Sequence, residues 1–179
     1  MPKRAKARPR RKPAGPKAAA RVKPIPPGYH TVTAYLTVRD ATRAIDFYKT
    51  AFGAAEKQRM PGPDGKSVMH AELKIGDSLF MLSDEQPGRG CRAPASVGGP
   101  TSYLYVYVPD VDKAFTRAVE SGAKVVVPLS DMFWGDRFGQ VEDPSGHLWG
   151  LATHTEDVPP QEMARRQKQF FASMSQQKK

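Results

Sequence analysis

Two stretches of this chain repeat one pattern, and that repeat limits the folds open to it. Tyr35-Leu36-Thr37-Val38-Arg39-Asp40 alternates side chains as a strand does, and Ala41 to Phe52 follows with helical spacing before Gly53-Ala54. Tyr105-Val106-Tyr107-Val108-Pro109-Asp110 does the same, followed by Val111 to Ser121 and then Gly122-Ala123. In each copy the Asp suits a helix N-cap and the Gly suits the residue after the last turn, where the backbone turns left-handed. Self-similarity at a fixed spacing signals a duplicated supersecondary unit.

The strands after each helix complete the unit. In the first copy a strand near Ala55–Met60 leads to Pro61-Gly62-Pro63-Asp64-Gly65, whose Asp-Gly is a hairpin signal. Ser67–Ile75 and Ser78–Leu82 follow, joined through Gly76-Asp77. In the second, the strands are Ser102–Val108 and Lys124–Leu129, with a loop over Ser130–Asp136. A hairpin then turns at Asp143-Pro144-Ser145-Gly146, where Asp accepts backbone N–H bonds, Pro presets φ and Gly suits the fourth place. Each half is thus a βαβββ module, and the Gly/Pro-rich Ser83–Pro100 links them.

These motifs resemble the vicinal oxygen chelate superfamily, which includes glyoxalase I, extradiol dioxygenases and the bleomycin- and fosfomycin-resistance proteins. The resemblance is carried by a strand ending in Val38-Arg39-Asp40, Phe47-Tyr48 on the helix and the late Glu142-Asp143-Pro144-Ser145-Gly146 turn. Trp134-Gly135-Asp136-Arg137-Phe138-Gly139 and Gly146-His147-Leu148-Trp149 are most similar to its PhnB-like branch. It spans roughly residues 29–157 and implies an α+β fold, two βαβββ modules forming curved mixed sheets around a cavity, and a homodimer. The expected layout is a disordered basic tail over 1–27, a domain over 28–157 with modules at about 30–83 and 101–155, and a C-terminal helix or tail over 158–179. Pro159-Pro160 suits a helix start, and Met163, Phe170, Phe171 and Met174 form a stripe suited to the body or a partner subunit.

Charge separates the tail from the body. The chain carries a net charge of +10. Residues 1–24 hold ten Lys/Arg and no acid, so the remaining 18 basic residues balance the 18 acidic ones. With almost nothing apolar to bury, the tail is expected to be disordered. It suits nonspecific contact with nucleic acid, since each phosphate contact releases counterions, or serves only as a solubilising segment. No apolar run matches a membrane span and no signal-peptide pattern stands at the start, so a cytoplasmic protein without membrane contact is expected. The single cysteine, Cys91, rules out an intrachain disulfide.

In metal-dependent members of the superfamily four His or Glu ligands stand on the inner faces of the two sheets. The resemblance places those positions at Thr33, Glu72, Tyr103 and Gly150. Only Glu72 is an anionic ligand, and divalent cations need several deprotonated oxygens or neutral nitrogens at one point. The expectation is therefore no metal and no cofactor, with a shared His70/Glu72 site as the alternative. Period-2 alternation instead places Thr33, Tyr35, His70, Glu72, Tyr103, Tyr105 and Tyr107 on the inner faces. These residues either line a pocket for a planar ligand or fill the space between the sheets. Trp134 and Arg137 stand at the expected mouth, where Trp134 stacks on a ring and Arg137 pairs with an anionic group, or else Asp136 and Arg137 only brace the loop. The leading reading is a metal-independent small-molecule-binding protein. Its rivals are a lyase or isomerase of glyoxalase type with Glu72 as base, and a nucleic-acid-associated protein acting through its tail.

Overall fold

A computed structural model of the chain describes residues 22–176. Most of the basic segment, and with it the expectation of disorder and nucleic-acid contact, lies outside the described residues. The first module runs β1 (Tyr35–Val38), α1 (Ala41–Phe52), β2 (Ala55–Pro61), β3 (Val68–Ile75) and β4 (Ser78–Asp84). The second runs β5 (Tyr103–Tyr107), α3 (Val111–Glu120), β6 (Lys124–Asp131), β7 (Asp136–Glu142) and β8 (Leu148–His154). Between them lie a 3₁₀ turn (Pro87–Arg89) and a one-turn helix, α2 (Pro94–Val97), and the described chain ends in α4 (Pro160–Gln176). Strand orders are β1-β4-β3-β2 and β5-β8-β7-β6, with the β1–β4 and β5–β8 pairs parallel and the others antiparallel. The fold is α+β, two separate four-stranded mixed sheets with helices.

The repeat is visible in detail. Asp40 caps α1 by accepting from the Arg43 N–H at 3.0 Å, and Asp110 caps α3 by accepting from the Lys113 N–H at 3.0 Å. In both modules the last strand also reaches the helix start: the Ala41 N–H donates to Asp84 Oδ1 at 2.7 Å, and the Val111 N–H to Thr153 Oγ1 at 2.9 Å. Gly53 ends α1 with φ 65°, a left-handed conformation that costs a glycine little. The first strand is shorter than the alternation implies, beginning at Tyr35 rather than Thr31. Ahead of it the chain turns, the Tyr29 N–H donating to the Pro26 carbonyl and the Thr33 hydroxyl to the His30 carbonyl at 3.2 Å.

The two sheets share one core. Leu36, Val38, Leu73, Phe80 and Leu82 of the first sheet, Val141, Trp149 and Leu151 of the second, and Ile45 and Tyr48 of α1 form one buried cluster. Trp149, fully buried, packs against Tyr48, Phe52 and Phe80. Asp143 joins the modules by chemistry as well as packing. Its Oδ2 accepts from the Tyr48 hydroxyl at 2.7 Å and the Trp149 indole at 2.9 Å, while Oδ1 accepts from the Ser145 and His147 amides. Each sheet therefore turns its helix-bearing face to the common core and its other face outward. Among the described residues no helix is long and apolar enough to cross a membrane.

Candidate ligand-binding site

The outward face of the first sheet carries a short polar chain. Register places Tyr35 beside Met81 and Met81 beside Glu72, so these three share one row of the sheet, with His70 two residues before Glu72 on the same face. The Tyr35 hydroxyl lies 3.3 Å from His70 Nδ1, and His70 Nε2 lies 3.3 Å from Glu72 Oε1. When Nε2 carries the proton and donates to the carboxylate, Nδ1 is free to accept from the phenol. The Tyr29 hydroxyl is closed off from solvent beside Glu72, short of a properly formed hydrogen bond. Burial first, and then the neighbouring carboxylate, push that phenol up to about 12. Tyr29 and then His70 hold the Glu72 carboxyl below its ordinary value against the opposing effect of burial. Gly28 packs against Leu79 of the same face, so the segment ahead of β1 lies over one end of it.

The outward face of the second sheet is aromatic. Tyr103, Tyr105 and Tyr107 stand in line on β5, and all three are exposed, Tyr107 by 63%. Tyr105 stacks on Phe138 with centroids 5.3 Å apart and planes 10° from parallel, and its two tyrosine neighbours are tilted by 48° and 50°. Behind the rings sits Asp136, only 3% exposed. Its Oδ2 accepts from the Tyr105 hydroxyl, the Tyr107 hydroxyl and the Trp134 indole N–H, each at 3.0 Å, and its Oδ1 faces His154 Nδ1 at 2.8 Å. Burial alone pushes the Asp136 carboxyl up, but these donors together outweigh it and hold the group below its usual value. Donation to the same carboxylate, after burial, moves the Tyr105 and Tyr107 phenols upward. His154 also meets Asp157 at 3.0 Å, so both ring nitrogens face carboxylates and its pKa is raised, by Asp136 first.

The sequence-derived candidates are thus distributed over two faces. Tyr35, His70 and Glu72 share one, and Tyr103, Tyr105 and Trp134 share the other. Thr33 stands apart in the turn before β1. Arg137 has the opposite parity to Asp136 and Phe138, and binds Asp112 of α3 through two bonds of 2.8 and 2.7 Å and Asp131 at 3.1 Å. Its guanidinium is satisfied by aspartates rather than held over the aromatic face. Tyr29 is not among the candidates that the sequence offers, and Asp136 stands among them only as a loop brace. Tyr29 lies in irregular chain with no periodicity to place it, and Asp136 had been assigned to a loop, so strand parity did not apply to it. His147 and Trp149 lie on the core side, as the alternation with Gly150 implies.

The positions that the resemblance marks for metal ligands hold Thr33, Glu72, Tyr103 and Gly150, of which only Glu72 offers a carboxylate. A Cβ on Gly150 would meet Phe138 at 2.9 Å and the Tyr103 and Tyr105 rings at 3.2 Å each, so aromatic carbon fills the space around that position. Thr33 is bonded to the backbone, and Glu72 is met by His70 with the Tyr29 phenol beside it, neither of which adds a second carboxylate. Among the described residues no three His, Cys, Asp or Glu side chains are placed to hold a metal ion.

Paired βαβββ modules with capping aspartates, back-to-back helices and two outward-facing sheet surfaces define the class. A family model described as the Glyoxalase/Bleomycin resistance protein/Dioxygenase superfamily matches residues 29–151, and the chain belongs to that superfamily. A relative in Mycobacterium tuberculosis, the uncharacterized protein Rv0887c, is 46% identical over 127 residues, 69% of this chain and 74% of that one. The crystal structure of TioX from Micromonospora sp. ML1 is similar with 29% identity and a TM-score of 0.56, over 73% of this chain and 100% of that one. A PhnB protein from Bacillus cereus shares the fold at 20% identity and a TM-score of 0.55, over 69% of this chain and 99% of its own.

Proposed function

We propose that this protein binds a small planar organic molecule without the aid of a metal, and that it does so as a homodimer. The observation that carries the reading is the aromatic filling around Gly150: where the fold can place a ligating side chain, this chain places the rings of Tyr103, Tyr105 and Phe138. A flat apolar surface edged by a few convergent polar groups is the usual form of a small-molecule site. Each outward face is open in the single chain, with Tyr35 48% and Tyr103 51% exposed. A two-fold pairing that sets the Glu72 face of one copy against the Tyr103 face of another encloses two equivalent sites.

Mixing variants tests this. Glu72→Ala and Tyr103→Ala each weaken both sites of their own dimer. Random reassortment of the two restores about a quarter of the sites, because half the dimers are mixed and each mixed dimer holds one intact site. A thermal-shift screen of planar compounds supplies the ligand, and titration of the mixture counts the tight sites. Recovery of none, in a mixture shown to exchange subunits, contradicts the paired site.

The second reading is an enzyme of lyase or isomerase type. It is favoured by the Tyr35–His70–Glu72 chain, a phenol, an imidazole and a carboxylate in series at 3.3 Å spacing. Such a series moves a proton to or from a bound substrate at the Tyr35 oxygen, with Glu72 orienting the imidazole and balancing its charge. Turnover that is lost in both His70→Gln and Tyr35→Phe, while binding persists, selects this reading.

A further inference from the structure

We infer that the aromatic face of the second sheet selects an organic cation, such as a quaternised heteroaromatic ring, over neutral or anionic molecules of the same shape. This rests on the binding reading above and names the class of ligand for that face. The first observation is the anchoring of the rings. Two adjacent phenols, Tyr105 and Tyr107, donate to a single carboxylate oxygen, Asp136 Oδ2, at 3.0 Å each. A phenol donating to an anion gains electron density in its ring, which deepens the negative face that attracts a cation. Because Asp136 is only 3% exposed, water screens this polarisation poorly.

The second observation is charge. The charged groups tied to the ring hydroxyls are Asp136, His154 and Asp157, linked in series. With the imidazole protonated they sum to one negative charge, and with it neutral to two. Lys113, which lines a cavity with Tyr105 and Tyr107, is paired with Asp110, and Arg117 donates to the Ala51 carbonyl. The nearest guanidinium on the same strand, Arg137, is committed to Asp112 and Asp131 and does not bond to any group of the aromatic cluster. An anionic ligand therefore meets net repulsion here, whereas a cation meets rings and a carboxylate field of the right sign. The third observation is shape. Tyr105 has one side covered by Phe138, and its tilted neighbours Tyr103 and Tyr107 stand on either side. A flat cation on this face meets more than one ring.

The test uses the full chain and three bicyclic probes of one shape: N-methylquinolinium, 1-methylnaphthalene and 1-naphthoate. Calorimetric titration at fixed ionic strength is expected to find the cation bound about tenfold more tightly than the neutral probe, and the anion most weakly of all. Tyr107→Leu removes an exposed ring and is expected to weaken the cation about tenfold. Tyr107→Phe keeps the ring, loses the bond to Asp136 and costs about threefold. Tyr103→Leu, at a residue with no hydroxyl bond to Asp136, repeats the ring test should Tyr107→Leu melt early. If the neutral probe binds as tightly as the cation and still responds to Tyr103→Leu, the charge inference falls while the binding reading stands. If no probe binds, or the cation binds unchanged in both leucine variants, this face is not the site.

Discussion

Tyr48→Phe removes one oxygen atom and tests how the two modules are held together. The Tyr48 side chain is fully buried, and its hydroxyl donates at 2.7 Å to Asp143, which lies in the turn before β8 and is 3% exposed. Burial first, and then Asp143, raise the phenol well above its ordinary value, so it stays protonated and remains a donor at every working pH. Without it Asp143 keeps the Trp149 indole and two backbone amides but loses one of four donors to a buried carboxylate. A hydrogen bond to a charged group contributes about 1.5–3 kcal/mol, and the lost oxygen adds little cavity. Chemical denaturation should therefore show a loss of about 2 kcal/mol, and melting should fall by roughly 4–8 °C for a body of this size. The transition should stay single, because one core spans both sheets and the modules unfold together. A change below about 0.5 kcal/mol would mean that the Asp143 contact does not dock the modules, and a split transition would refute the shared core.

Two neighbouring truncations on β5 test the faces. Tyr103→Ala should change stability by less than about 1 kcal/mol, while Leu104→Ala, which packs partly buried against the core, should cost about 1–3 kcal/mol in urea unfolding. The reverse order would invert the strand register. His154 should titrate above 6.5 in a proton NMR experiment, and Asp136→Asn should bring the midpoint down. Since its folded value is the higher one, the stability it brings is complete below its ordinary value and is lost as the pH rises through the folded midpoint. A midpoint at or below 6.5 would mean that the Asp136–His154–Asp157 series does not hold a proton.

Much of this fold was legible in the chain because local chemistry and periodicity agreed. Asp40 and Asp110 cap helices where their positions implied, and the alternation of Tyr103, Tyr105 and Tyr107 with Leu104 and Val106 assigned the two faces of β5. Each of those inferences needs only neighbours in sequence. The start of β1 differs from the reading because alternation continues through Thr31-Val32-Thr33, whereas turns at Pro26–Tyr29 and His30–Thr33 take that stretch out of strand geometry. Asp136 was harder still. Its role depends on β5 and β8 bringing two phenols and His154 to one carboxylate, and nothing within the Trp134–Phe138 segment announces those partners. Arg137 illustrates the opposite difficulty, since a guanidinium beside a tryptophan suggests a ligand, yet Asp112 on α3 claims it across the packing of helix on sheet.

On the reading proposed above, aromatic surface takes the place of a metal in this member of the superfamily. Elemental analysis of the purified full chain, prepared without chelators, tests that most directly. Ni, Zn, Mn and Fe are each expected far below one equivalent, with a melting temperature unmoved by EDTA, because a bound ion would stabilise the folded state by mass action. Stoichiometric metal that disappears in Glu72→Ala, with EDTA lowering the melting temperature of the unsubstituted protein, would contradict metal-independent binding and give the site to metal chemistry.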